Sequence, residues 1–196
     1  MFCWENIVGT VGTEWGRVSG GVGSAGGTIE RAGCSMSSND TKVPICYFAC
    51  HRRSLDDKRR LQIPAKWYRK SDDGKIEETQ FALILWPHDD QPDMCIQVLP
   101  PQVFQELWRK VTAKSFGDAE GQALKRTLAE KMELVSLDSA GRVMVPEWMA
   151  EAAGLAVGQE AVMNGMFDHF QIWTPARYET TRSGVAAKVP NAFKTI

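Results

Sequence analysis

Two stretches of this chain, 82 residues apart, carry one pattern, and that repetition limits the fold more than any other feature. Leu55-Asp56-Asp57-Lys58-Arg59-Arg60-Leu61-Gln62-Ile63-Pro64 and Leu137-Asp138-Ser139-Ala140-Gly141-Arg142-Val143-Met144-Val145-Pro146 share Leu, Asp, Arg and Pro at matching places. The apolar pair Leu61/Ile63 is answered by Val143/Val145. Downstream, Ile96-Gln97-Val98 followed by Pro101 and Phe104 is echoed by Phe170-Gln171-Ile172 followed by Pro175 and Tyr178, at an offset of 74. The first copy thus holds eight extra residues, placed most easily in a loop around residues 88–93. Order and spacing kept on both sides imply one supersecondary unit used twice.

Each copy reads as strand, tight turn, strand, short helix and hairpin, an α+β pattern. In the second copy Glu133-Leu134-Val135-Ser136-Leu137 alternates, residues 138–141 turn, and Arg142-Val143-Met144-Val145 forms the returning strand. Asp suits the start of such a turn because its carboxylate accepts backbone N–H bonds, and Gly141 suits a left-handed position at its end. Pro146 can open a helix, where its missing N–H would be unpaired anyway, and Gly154 can stop it. A hairpin over residues 160–164 and 169–173 follows, turning near Gly165. Between the copies, Val103, Phe104, Leu107, Trp108 and Val111 recur at helical spacing and predict a core-facing stripe; residues 118–132 read as a second helix. The resulting domain reading is an extension over 1–44, unit 1 over 45–115, a helical spacer over 116–132, unit 2 over 133–180 and a tail over 181–196.

Nine of the 17 glycines lie before residue 43, among serines and little apolar periodicity, so that segment is expected to be a flexible extension. Its glycine runs lack the Gly-Lys-Ser/Thr ending of a phosphate loop. Five irregularly spaced cysteines favour reduced thiols in a cytosol over a disulfide framework, and Cys46-x-x-x-Cys50-His51 lacks the second ligand pair that structural zinc needs. No metal and no cofactor is expected. The N-terminus has no basic leader followed by an apolar stretch, and no run of apolar residues is long enough to span a bilayer, so neither secretion nor membrane insertion is expected. The formal charge is −1, but residues 51–70 hold eight basic side chains against two acidic ones. That local +6 leaves −7 for the remainder, a directed electrostatic footprint of the kind nucleic acids recognise.

The arrangement Leu-Asp-x-x-x-Arg-Leu-x-Ile-Pro-Ala-Lys, then a hairpin, a helical spacer and Leu-Asp-x-x-Gly-Arg-x-x-x-Pro, resembles the MraZ family. The likeness covers residues 46–180, and the family's paired Asp-x-x-x-Arg signature stands here as Asp56…Arg60 and Asp138…Arg142. The resemblance implies two tandem AbrB-like swapped-hairpin β units forming a pseudo-symmetric β barrel with short helices. It implies a cytoplasmic, nucleoid-associated regulator that represses the division and cell-wall gene cluster through direct repeats in its own promoter. It implies ring-shaped homo-oligomers, with double-stranded DNA as the partner and no small-molecule substrate. Arg60 becomes the first candidate DNA contact, with Lys58, Arg59 and Arg53 beside it and Asp56 orienting the turn; Arg142 and Asp138 are the equivalents in copy two, in more acidic surroundings.

Two positions depart from the family pattern. Arg59 stands where Gly precedes the signature Arg, and Tyr47-Phe48-Ala49 stands for Phe-x-Gly. A side chain in a left-handed turn costs on the order of 1 kcal/mol, so the first turn either changes shape or accepts strain. The fold also admits an AbrB-like antitoxin or protein-interaction module. An Asp-dyad hydrolase is the remote reading: Ala140 separates Ser139 from Gly141, no Asp-Thr/Ser-Gly motif exists, and each neighbouring Arg would pin its Asp as an anion. No motif surrounds the three histidines, and the chain is read as a non-enzyme.

Overall fold

The structure, a computed structural model, describes residues 45–77, 80–88 and 91–188. The predicted extension over 1–44, residues 89–90 and the last eight residues of the tail lie outside the described residues. The predicted loop around 88–93 is otherwise strand, because β3 and β4 are each nine residues long and take up the extra residues of copy one. The elements run β1 (Cys50–Ser54), β2 (Arg60–Gln62), a single 3-10 turn (Ala65–Trp67), β3 (Gln80–His88), β4 (Gln91–Leu99), α1 (Pro101–Thr112) and α2 (Ala119–Glu130). They continue as β5 (Met132–Ser136), β6 (Arg142–Met144), α3 (Glu147–Ala153), β7 (Glu160–Gly165), β8 (Phe170–Trp173) and α4 (Pro175–Lys188). The fold is therefore α+β.

Local chemistry accounts for the boundaries. Asp118 caps α2 by accepting the Glu120 N–H at 3.1 Å, satisfying one of the donors a helix start leaves unpaired. Gly154 ends α3 in the left-handed conformation, φ 73°, where a Cβ would be strained. Pro101 and Pro146 stand at the starts of α1 and α3, where a missing N–H costs nothing.

Six strands form an antiparallel sheet in the order β1-β7-β8-β4-β3-β5, and β2 pairs with β6 in a separate two-stranded ribbon. Both edges of the large sheet lead by a tight turn into that ribbon, β1 into β2 and β5 into β6. The register joins repeat counterparts to each other: Leu61 lies opposite Val143, and Gln97 opposite Gln171. These ladders make an open sheet and a ribbon; the closed, pseudo-symmetric barrel goes further than the hydrogen bonding itself.

The main core lies where the ribbon, the 3-10 turn and α3 meet the sheet. Leu61, Ile63, Val143, Val145, Trp67 and Met149 are buried there, each worth about 1.5–3 kcal/mol relative to exposure. Tyr47, Trp67 and Phe170 pack with ring centroids 4.9–5.6 Å apart. Elsewhere α1 and α2 cover Ala82, Ile84 and Leu99. The sequence reading places the α1 aromatics in the core, but no residue of α1 is fully buried and Trp108 is 62% exposed, because only α2 and one sheet region back this helix. The helix α4 runs through the proposed end of unit 2 at residue 180 and into the tail. Its start, Pro175, lies 74 residues after Pro101, so α4 is the counterpart of α1.

Candidate nucleic-acid interface

The two signature turns are built bond for bond alike. In the first, Asp56 N–H donates to the Arg60 carbonyl at 3.0 Å and Arg59 N–H to the Asp56 carbonyl at 2.9 Å. Asp138 and Gly141 make the matching bonds at 2.9 and 2.8 Å. Asp56 Oδ1 accepts the N–H groups of Lys58 and Arg60, both at 2.9 Å, while Oδ2 accepts Arg60 Nε at 2.7 Å. Asp138 accepts the N–H groups of Ala140 and Arg142 at 3.0 Å and Arg142 Nε at 2.8 Å. Each aspartate thus knits its own turn, as an Asx turn does, and holds its own arginine.

Pairing of β2 with β6 brings the two turns together. Arg60 Nη1 lies 3.8 Å from Asp138 Oδ2, and Arg142 Nη1 lies 3.8 Å from Asp56 Oδ2. The four side chains form one neutral quartet, each 25–33% exposed. Arg60 is therefore outside the core and within reach of a partner molecule. Its Nε is committed to Asp56, whereas Nη1 stays beyond hydrogen-bond distance of a carboxylate. Arg142 is held more fully, with Nε and Nη2 both on Asp138. A guanidinium buttressed along one edge keeps the rest of its donor fork aimed outward.

The electrostatics work against proton sharing between the aspartates. Burial raises the Asp56 carboxyl, but the backbone and guanidinium donors of Arg60 and the Lys58 N–H together hold it below the usual carboxylate value. Asp138 follows the same logic, with burial outweighed by Arg142 and the Ala140 N–H. Each carboxylate lies 3.8 Å from the other's arginine, and both are stabilised as anions, whereas a dyad needs one of them kept protonated.

Both departures from the family pattern accept strain without changing shape. Arg59 adopts φ 56° and Ala49 φ 69°, as glycines would, and Gly141 has φ 78°. A Cβ built on Gly141 would fall 2.5 Å from the Tyr68 hydroxyl and 2.6 Å from Cζ.

Lys58 is exposed at the tip of the first turn, and Arg59 Nη1 contacts Glu147 Oε1 at 3.3 Å. Arg53 sits apart on β1, bonding the Arg52 carbonyl, while Arg52 is engaged by Glu160 and Glu179. Three residues at this face make contacts that the sequence does not foretell. Gln62 Nε2 donates to the Ala140 and Gly141 carbonyls at 3.0 and 3.1 Å, tying strand β2 to the opposite turn. Tyr68 packs on Gly141, and Glu147 meets Arg59. The only sequence signal for Gln62 is its mismatch with Met144 in the repeat.

The sequence is similar to those of known proteins. A family model described as "MraZ protein, putative antitoxin-like" matches residues 129–192, the second copy. Transcriptional regulator MraZ of Roseiflexus castenholzii is 32% identical over 137 residues, spanning 70% of this chain and 87% of that protein. The protein of the same name from Roseiflexus sp. (strain RS-1) is 31% identical over the same shares. That of Acidovorax sp. (strain JS42) is 31% identical over 142 residues, spanning 72% of this chain and 92% of that protein.

Proposed function

The chain belongs to the MraZ family, and on that premise we propose that it is a transcriptional regulator that grips duplex DNA through the Asp56–Arg60–Asp138–Arg142 face. One observation carries the reading: two arginines from separate repeats stand side by side, partly exposed, each fixed by its own aspartate. An arginine held along one edge is suited to bidentate contact with guanine O6 and N7, and a two-stranded ribbon is slim enough for a major groove. In this arrangement Arg60 and Arg142 read bases, Lys58 and Arg59 meet phosphates, Asp56 and Asp138 orient, and Arg53 extends the basic rim.

We read the chain as two AbrB-like units, 45–115 and 133–180, joined by a helical spacer into a swapped-hairpin barrel. The strand order supports this, since β1-β7-β8 and β4-β3-β5 mirror each other in repeat counterparts. One ribbon offers few contacts, so affinity rises if ring-shaped homo-oligomers present several ribbons to successive direct repeats. The targets would be repeats in the chain's own promoter within the division and cell-wall gene cluster, with repression as the outcome, in the cytoplasm at the nucleoid.

The test is binding to a fluorescent duplex carrying the repeats upstream of the gene. Arg60→Ala and Arg142→Ala should each weaken specific binding by about 1–3 kcal/mol, roughly 5- to 150-fold, while the fold persists. Unchanged binding in both variants would remove the site. A second reading, binding of a protein partner as the antitoxin-like description suggests, draws on an apolar groove of about 290 Å³ between α1 and α2, flanked by exposed Trp108. A complex with a neighbouring gene's product, broken by Trp108→Ala and untouched by Arg60→Ala, would favour it.

A further inference from the structure

The two turns are alike in backbone and differ in one charged position. Where the second has Gly141, the first has Arg59, held left-handed at φ 56°. The Arg59 side chain is not simply solvated: Nε is buried without a hydrogen-bond partner, and Nη1 reaches Glu147 Oε1 at 3.3 Å. Glu147 is the first residue of α3 and its side chain is 67% exposed, so the carboxylate stands at the surface next to the turn. The quartet beside it is internally neutral. Arg59 and Lys58 are therefore the cations of this turn outside the quartet; exposed Asp57 in the same turn offsets one unit of that charge, and Glu147 is the carboxylate that contacts Arg59 directly.

We propose that Glu147 is a built-in competitor for the DNA backbone: it occupies the Arg59 guanidinium when no DNA is bound and is exchanged for a phosphate on binding. The inference rests on the DNA-binding reading above and adds its regulation. A phosphate oxygen accepts from guanidinium as a carboxylate does, so the exchange keeps the donor satisfied. It leaves Glu147 as an uncompensated anion beside a polyanion, which lowers affinity. The contact at 3.3 Å between exposed groups is weak, so the exchange is within reach of a phosphate. The same loss makes the turn's contribution less dependent on salt, because a carboxylate released at the interface regains a cation as the phosphate gives one up. Arg59 is then a charge whose strength at the DNA is set by its neighbour on α3.

The experiment measures affinity of the full chain for the upstream-repeat duplex by fluorescence anisotropy, across about 50–200 mM salt. Wild type, Glu147→Gln, Arg59→Gly and the double variant are compared, with Arg60→Ala as reference. Glu147→Gln should bind roughly three- to fivefold tighter at low salt, from the size of a surface ion pair. Its log–log salt slope should steepen by up to about 0.9. In the Arg59→Gly background the gain should shrink. An equal gain with and without Arg59 would mean a simple field effect and overturn the competitor role. Weaker binding in Glu147→Gln would mean that Glu147 orients Arg59 for its contact, and would overturn it as well. If wild type ignores the duplex, or Arg60→Ala binds as well as wild type, the DNA-face reading itself fails, whatever Glu147→Gln does.

Discussion

Replacing Gly141 with alanine separates two costs that the structure assigns to this turn. At φ 78° any Cβ pays the left-handed penalty, about 1–2 kcal/mol. The Gly141 methyl would also overlap Tyr68, with the hydroxyl, Cζ and Cε1 at 2.5, 2.6 and 2.8 Å. That ring is 8% exposed and belongs to the main core, so moving it is an overpacking problem worth about 1–3 kcal/mol. Gly158 is the control: its φ is 76°, but nothing lies within 4 Å of its Cβ position, so alanine there pays the backbone cost alone. At about 2–4 °C per kcal/mol for a chain of this size, Gly158→Ala should lower Tm by about 2–8 °C and Gly141→Ala by about 4–20 °C. Thermal unfolding followed by circular dichroism measures both. Equal shifts in the two variants would refute the packing of Tyr68 on the turn, and with it the steric reason for glycine at position 141.

Asp56 and Asp138 titrate below the ordinary carboxylate value of 3.8, so the stability they confer is present above that value and lost as pH falls through their lower folded values. Tm should be insensitive to these two groups down to about pH 5, and the further acid loss should be smaller in Asp56→Asn/Asp138→Asn; an acid limb unchanged in that variant would contradict the quartet. The Cys95 thiol is buried and pushed up to about 12 by desolvation, whereas Cys46 and Cys50 are exposed. Native alkylation at about pH 8 mapped by mass spectrometry should therefore spare Cys95, and rapid labelling there would show that its cluster with Val162 and Trp173 opens.

Features set by neighbouring residues were legible from the sequence alone. The Asp-x-x-x-Arg turns, the Pro-led α3 and the glycine that ends it each depend on bonds within a few residues. The repeat carried the Asp-x-x-x-Arg turn twice, and of the two outcomes open for Arg59 in a glycine position, a changed shape or accepted strain, the structure has the strain. The quartet was not legible, because its cross contacts join Asp56 to Arg142 and Arg60 to Asp138 through the register of β2 on β6. Copy two, set apart by its acidic surroundings in the sequence reading, is instead half of one cluster. Glu147 was legible as part of those acidic surroundings, but its contact was not, because its partner Arg59 lies 88 residues away in sequence. The α4 helix was missed although the 74-residue offset lays it on α1, since its apolar periodicity is weak. Trp108 fits the stripe of α1, yet periodicity gives a side of a helix and not the depth of what covers it.

Occupancy of the chain on its own genome, mapped by chromatin footprinting, bears most directly on the claim that the paired turns read DNA. Protection should fall on tandem short repeats upstream of the gene that encodes it, and should vanish in a strain carrying Arg60→Ala at equal protein level. Protection that persists unchanged in that strain, or footprints with no shared repeat, would contradict it.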